Sequence, residues 1–127
     1  MRQRLLIADG DRELSDVYRR FFSYQGYEVE TADGGVECLA MLRTRPDSYV
    51  ILDLEIPWGG GDGVLACLRE EFDSESHPIV VVTSRPLFDK RLRPAGPERS
   101  HCPVVGYFEK PFRLSALLDC LRSATAS

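Results

Sequence analysis

Four side chains stand at the ends of short apolar runs. Asp9 closes Leu5-Leu6-Ile7-Ala8, and Asp53 sits near the end of the apolar run Tyr49 to Leu54. Thr83 closes Ile79 to Val82, and Lys110 follows the run that starts at Val104. A carboxylate inside an apolar run has little structural excuse, because burying a lone charge is costly. Two carboxylates, a hydroxyl and an ammonium brought together have a chemical logic. A carboxylate oxygen can attack phosphorus and form an acyl phosphate. The incoming phosphoryl group is anionic, so a hard cation such as Mg²⁺ is needed to neutralise it. Oxygens of Asp9 and Asp53 and a backbone carbonyl, that of Glu55, are the ligands available. Lys110 would pair with one phosphoryl oxygen and Thr83 would donate to another. The Lys110-Pro111 bond is a candidate cis peptide, an isomer that tight turns favour.

These residues meet only if the chain folds so that the run ends share one edge. Apolar runs do alternate with amphipathic stretches. Leu5 to Ala8, Tyr27 to Thr31, Tyr49 to Leu54, Ile79 to Val82 and Val104 to Glu109 read as strands. Between them, Leu14, Val17, Tyr18, Phe21 and Phe22 recur at helical spacing, and Gly26 is a natural stop. Val36, Leu39, Ala40 and Leu42 mark a second helix ended by Pro46. Val64, Leu65 and Leu68 mark a third to about Phe72, after a Pro-Trp-Gly-Gly-Gly-Asp-Gly loop. Leu114, Leu117, Leu118 and Leu121 mark a last helix over Arg113 to Ala124. Strands apolar on both faces, alternating with helices, predict a doubly wound parallel α/β sheet with helices on both sides. Ligands of such sheets bind outside the carboxyl ends of the strands. Arg85 to Pro103 is the irregular stretch. Pro86, Pro94, Gly96, Pro97 and Pro103 interrupt the helix expected there, leaving at most a turn or two over Leu87 to Leu92.

Composition narrows the function. The 127 residues suit one domain, 1–127, with a core of its own. A net charge of −4 argues against a general nucleic-acid or membrane-surface binder. Only Lys90 and Lys110 are lysines among the 16 basic residues, which singles out Lys110 beside Pro111 and Phe112. Cys38, Cys67, Cys102 and Cys120 form no Cys-x-x-Cys pair, and His101-Cys102 is too little for zinc. They read as reduced thiols of a cytoplasmic protein. The apolar run after Arg4 is too short for a signal peptide or a membrane span.

Leu6-Ile7-Ala8-Asp9, Ile51-Leu52-Asp53-Leu54-Glu55-Ile56-Pro57, Val81-Val82-Thr83-Ser84 and Gly106-Tyr107-Phe108-Glu109-Lys110-Pro111-Phe112 together resemble the signatures of response-regulator receiver domains. The resemblance covers nearly the whole chain, with the motifs in the right order. It implies a flavodoxin-like fold, a five-stranded parallel sheet with five helices. It implies that Asp53 is the phosphoacceptor, that Thr83 and Tyr107 are the switch pair, and that Lys110 is the site lysine. It further implies Mg²⁺, a histidine kinase, phosphotransfer protein or small molecule as phosphoryl donor, and a downstream protein target. The domain would be regulatory rather than an enzyme.

Three departures matter. Where the family carries two adjacent acids after the first strand, this chain has Asp9-Gly10. Asp11 comes next, with two readings, helix cap and metal ligand, the cap ahead. Four residues, Trp58-Gly59-Gly60-Gly61, separate Pro57 from Asp62-Gly63 where the family has two. Trp58 is a cover for the site, a partner anchor or a plain loop aromatic. The remodelled Arg85 to Pro103 stretch carries Arg85, Lys90, Arg91, Arg93 and Arg99 and alters the usual output surface. Gly10 and this stretch motivate an alternative, a pseudo-receiver that binds partners with little phosphotransfer. Tyr107 and Thr83 also have plain readings as core and as β-branched filler. An aspartyl-phosphate phosphohydrolase is disfavoured: it needs an Asp where Glu55 stands and a cap for which 127 residues leave no room.

Overall fold

The computed structural model describes residues 2–45, 47–58, 60–71, 78–84 and 104–126. Five strands form one all-parallel sheet: β1 (Arg4–Ala8), β2 (Glu28–Ala32), β3 (Tyr49–Asp53), β4 (Ile79–Thr83) and β5 (Val104–Glu109), in the order β2-β1-β3-β4-β5. Four helices are described, α1 (Arg12–Tyr24), α2 (Gly35–Thr44), α3 (Gly60–Glu71) and α4 (Leu114–Ala126). The expected doubly wound α/β sheet is therefore present. The interrupted helix expected between β4 and β5 falls at 85–103, outside the described residues.

The central strands are apolar at nearly every position because both faces are covered. On one face Leu6, Ala8, Val50, Leu52, Ile79 and Val81 pack with Cys38 and Leu42 of α2 and Val64, Leu65 and Leu68 of α3. On the other, Leu5, Ile7, Ile51, Val80 and Val82 pack with Tyr18 and Phe22 of α1 and Leu117, Leu118 and Leu121 of α4. Successive residues of a strand point to opposite faces, so β1, β3 and β4 each supply both clusters.

Helix ends follow local chemistry. Asp11 caps α1, its side chain accepting from the amides of Glu13 and Leu14 at 3.1 Å each. After α1, Gly26 takes φ +98°, a left-handed conformation that glycine adopts without penalty. The third helix departs from expectation. The glycine run reads as loop, yet α3 begins at Gly60. The cause is tertiary contact. Gly61 lies so close to β3 that a Cβ there would stand 2.4 Å from Leu54 Cα and 2.9 Å from the Asp53 carbonyl. The Gly61 amide donates to the Leu54 carbonyl at 3.2 Å. The extra residues bring the helix start against the end of β3.

Candidate functional site

The carboxyl edge of the sheet gathers the residues singled out above. Asp9 follows β1 directly and is 2% exposed; Asp53 ends β3 and is 5% exposed. The register sets Asp53 beside Val82 of β4. Alternation along β1 and β3 points both carboxylates to the α1/α4 side, the face whose cluster includes Tyr18. Their oxygens divide the same way. Asp9 Oδ1 accepts from the Asp11 amide at 2.9 Å and Asp53 Oδ1 from the Glu55 amide at 3.1 Å. The two Oδ2 atoms share one cation, Lys110 Nζ lying 3.3 Å from Asp9 and 3.6 Å from Asp53.

Lys110 reaches the site from the turn after β5. Its amide donates to the Thr83 carbonyl at 2.7 Å, and the Lys110–Pro111 peptide is cis. One ammonium does not balance two buried carboxylates. Burial pushes the Asp53 carboxyl up to about 6, with the Asp9 charge adding to the rise; the Glu55 amide, then Lys110, pull the other way.

Thr83 is fully buried at the end of β4. Its hydroxyl donates to the Glu55 carboxylate, Oγ1 to Oε2, at 2.7 Å. Glu55 Oε1 accepts from the Ser84 amide at 2.6 Å and from the Ser84 hydroxyl at 3.0 Å. Tyr107 is half-buried on β5 beside Val81 and packs on the α2/α3 cluster. Alternation places Thr83 on that same face, one strand over. Asp11 is engaged as the α1 cap through Oδ1, so at least one of its oxygens is turned to the helix.

The structure gives contacts to residues that the sequence reading left without a side-chain role. The Glu55 side chain and Ser84, both named at strand ends, are two; for Glu55 only the backbone carbonyl is read as a ligand. Tyr18 is a third. Its hydroxyl is buried without a hydrogen-bond partner among the described residues. Burial first, then the charges of Asp9, Asp53 and Asp11, push its ionisation up. Helical spacing marks Tyr18 as one of the apolar positions of α1, and nothing in the spacing tells whether its hydroxyl has a partner.

Gly10 is explained by its neighbour. A Cβ at Gly10 would lie 2.7 Å from Pro57 Cδ and 3.2 Å from Pro57 Cγ. The proline ring occupies the space a second acidic side chain would start from. Pro57 and Trp58 are held across the loops: the Gly35 amide donates to the Pro57 carbonyl at 2.8 Å and the Val36 amide to the Trp58 carbonyl at 3.0 Å. These two bonds satisfy first-turn amides of α2, which lacks a side-chain cap. Trp58 has φ +57° and is 77% exposed, with its ring edge on Gly34. It lies over the loop between β2 and α2 rather than over the carboxylates.

The model of the response regulator receiver domain matches residues 5–122. The chain belongs to the response-regulator receiver family. It is 37% identical over 121 residues to the response regulator MprA of Mycobacterium leprae, covering 94% of this chain and 50% of that protein. MprA of Mycobacterium ulcerans is 36% identical over 124 residues, covering 97% of this chain and 50% of the relative. The receiver chain thus spans about half the length of the curated relatives it matches. Among solved structures, the chemotaxis response regulator CheY4 of Vibrio cholerae superimposes with a TM-score of 0.79 at 24% identity, over 97% of this chain and 98% of that one. The receiver domain of a LuxO repressor protein from Vibrio parahaemolyticus gives 0.80 at 18% identity, covering 97% and 89%. These likenesses establish the flavodoxin-like receiver fold and a place in two-component signalling. No helix among the described residues of the receiver is long and apolar enough to cross a membrane.

Proposed function

We propose that this receiver accepts a phosphoryl group on Asp53 and signals through Thr83 and Tyr107. The observation that carries the reading is the buried Asp9–Asp53 pair, joined through a lysine 57 positions beyond Asp53 in the chain. A stable fold has no evident need for two buried carboxylates on one ammonium. A phosphorylation site does, because the acids and the cation address different partners during transfer.

The donor is a phosphohistidine of a histidine kinase or phosphotransfer protein, met in the cytoplasm, or a small phosphoryl compound. Asp53 Oδ2 attacks phosphorus, the bond from phosphorus to the donor breaks, and the departing imidazole takes up a proton. Lys110 Nζ, already near Oδ2, pairs with a phosphoryl oxygen. Asp9 and Asp53 carboxylate oxygens and the Glu55 backbone carbonyl fit a Mg²⁺ that keeps several waters. When bound, the ion would neutralise charge on the phosphoryl group. The donor set is lean: no three His, Cys, Asp or Glu side chains gather as a metal group among the described residues. Asp11 adds at most the oxygen that does not cap α1. The domain is regulatory, and a downstream protein reads the changed surface.

Gly10 supports a second reading. With Pro57 in the place of a second acid, Mg²⁺ binding is weaker, and a pseudo-receiver that works by protein contact alone follows if it fails altogether. Intact-mass analysis separates the two. After incubation with acetyl phosphate and Mg²⁺, the wild type is expected to gain one phosphoryl adduct. The adduct is expected to be absent in Asp53→Asn and in chelator. No adduct on the folded wild type, with a control receiver labelled in parallel, favours the pseudo-receiver.

A further inference from the structure

Glu55 lies two residues past Asp53, and its side chain takes up Thr83 and Ser84 at the carboxyl end of β4. It accepts the Thr83 hydroxyl at 2.7 Å, the Ser84 amide at 2.6 Å and the Ser84 hydroxyl at 3.0 Å. A carboxylate with three donors on its two oxygens presents the array that a phosphoryl group on Asp53 would seek from the same residues. A threonine hydroxyl has one proton. While that proton is given to Glu55 it cannot be given to a phosphoryl oxygen.

We propose that the Glu55 carboxylate is a latch that holds Thr83 and Ser84 in the unphosphorylated arrangement and competes with the phosphoryl group for them. The proposal rests on the receiver reading and adds a positioning residue to it. On phosphorylation the Thr83 proton must leave Glu55, a charged acceptor whose hydrogen bonds are stronger than neutral ones. Glu55 must then find water or another donor, since its negative charge faces an added dianion at short range. Both costs favour the resting state, so the latch sets how strongly a phosphoryl group must bind to turn the switch. Thr83 keeps its backbone tie to Lys110 throughout, the Lys110 amide donating to the Thr83 carbonyl at 2.7 Å. The hydroxyl side of Thr83 is what the phosphoryl group would draw away from Glu55.

The test uses beryllofluoride, an anion that mimics an acyl phosphate, titrated into the whole chain at fixed Mg²⁺. The bound species is read by its ¹⁹F resonance. Glu55→Ala is expected to lower the midpoint about tenfold, the scale of a hydrogen bond to a charged group. Glu55→Gln, which keeps one acceptor oxygen and the backbone carbonyl, is expected to fall between. Removal of a nearby negative charge alone would also favour the anion, so the pair is repeated in Thr83→Val. There the Glu55→Ala effect is expected to shrink to less than about threefold, because the competed proton is gone. Equal midpoints for wild type and Glu55→Ala, or an effect of the same size in Thr83→Val, overturn the latch and leave the receiver reading intact. Absence of a bound resonance in every variant overturns the receiver reading and the latch together.

Discussion

Asp53 is a buried acid whose charge is only partly answered. Its carboxyl is raised to about 6, first by burial and then by Asp9. An unfolded Asp titrates near 3.9, so the folded state holds this proton more tightly than the unfolded state does. Folding is therefore opposed by the Asp53 charge above pH about 6, and that opposition is relieved as pH falls from 6 towards 4. Asp53→Asn removes the charge at all pH values. In chelator at pH 7.5 the variant is expected to be more stable than wild type by roughly 1–3 kcal/mol. Urea denaturation at pH 7.5 and again near pH 5 checks this. The advantage should shrink at the lower pH, and an equal or larger gap there would refute the account. Asp9, Asp53, Thr83 and Lys110 were legible from the sequence because each ends an apolar run and parallel strands bring run ends together. The Glu55 side chain was not, since its hydrogen bonds cross 28 positions to reach Thr83. No local pattern records whether a residue after a strand turns toward a neighbouring strand end.

The strands, and the start and stop of α1, were also readable, from apolar runs, the Asp11 cap and the Gly26 stop. The segment between β3 and α3 shows where composition misleads. Three glycines after Trp58 look like a long flexible loop, but packing decides otherwise. Gly60 adopts φ +66°, and α3 starts there with Gly61 pressed on the end of β3. Two neighbouring glycines therefore carry opposite expectations. Gly61→Ala would drive a methyl group into Leu54 Cα and the Asp53 carbonyl, which are backbone atoms that cannot step aside. It should cost roughly 1–3 kcal/mol and disturb the very strand end that holds Asp53. A Cβ at Gly63 meets nothing within 4 Å. Gly63→Ala should stabilise by roughly 0.5–1 kcal/mol, since glycine is a poor helix residue. Thermal denaturation followed by circular dichroism distinguishes them; a similar melting temperature for both would mean that α3 does not begin where the structure puts it. Gly10 belongs with Gly61 as a glycine demanded by close approach, here of the Pro57 ring.

At the scale of the molecule, one sheet carries an apolar cluster of described residues on each face. Leu68 belongs to the α2/α3 cluster and Leu117 to the α1/α4 cluster, and both are at most 1% exposed. Truncating either leaves a cavity that neighbouring side chains only partly refill, so Leu68→Ala and Leu117→Ala should each cost roughly 2–5 kcal/mol. The clusters share no side chains, and their two leucines lie on opposite faces of the sheet. The double variant should therefore lose the sum of the single losses to within about 0.5 kcal/mol. Cooperativity is expected to survive all the same, because strands β1, β3 and β4 contribute alternate residues to both clusters. A strand cannot leave one face and remain on the other. Urea unfolding of each single variant should thus give one transition, with the same midpoint by far-ultraviolet circular dichroism and by Trp58 fluorescence, and an unchanged slope. Two transitions, or a double variant far from additive, would mean that one helical layer can melt while the other holds the sheet. The proposed switch would then have a loose layer to work with. A single additive transition instead fits a proposed switch confined to the carboxyl edge, where Asp53, Glu55 and Thr83 would exchange partners above a core that stays fixed.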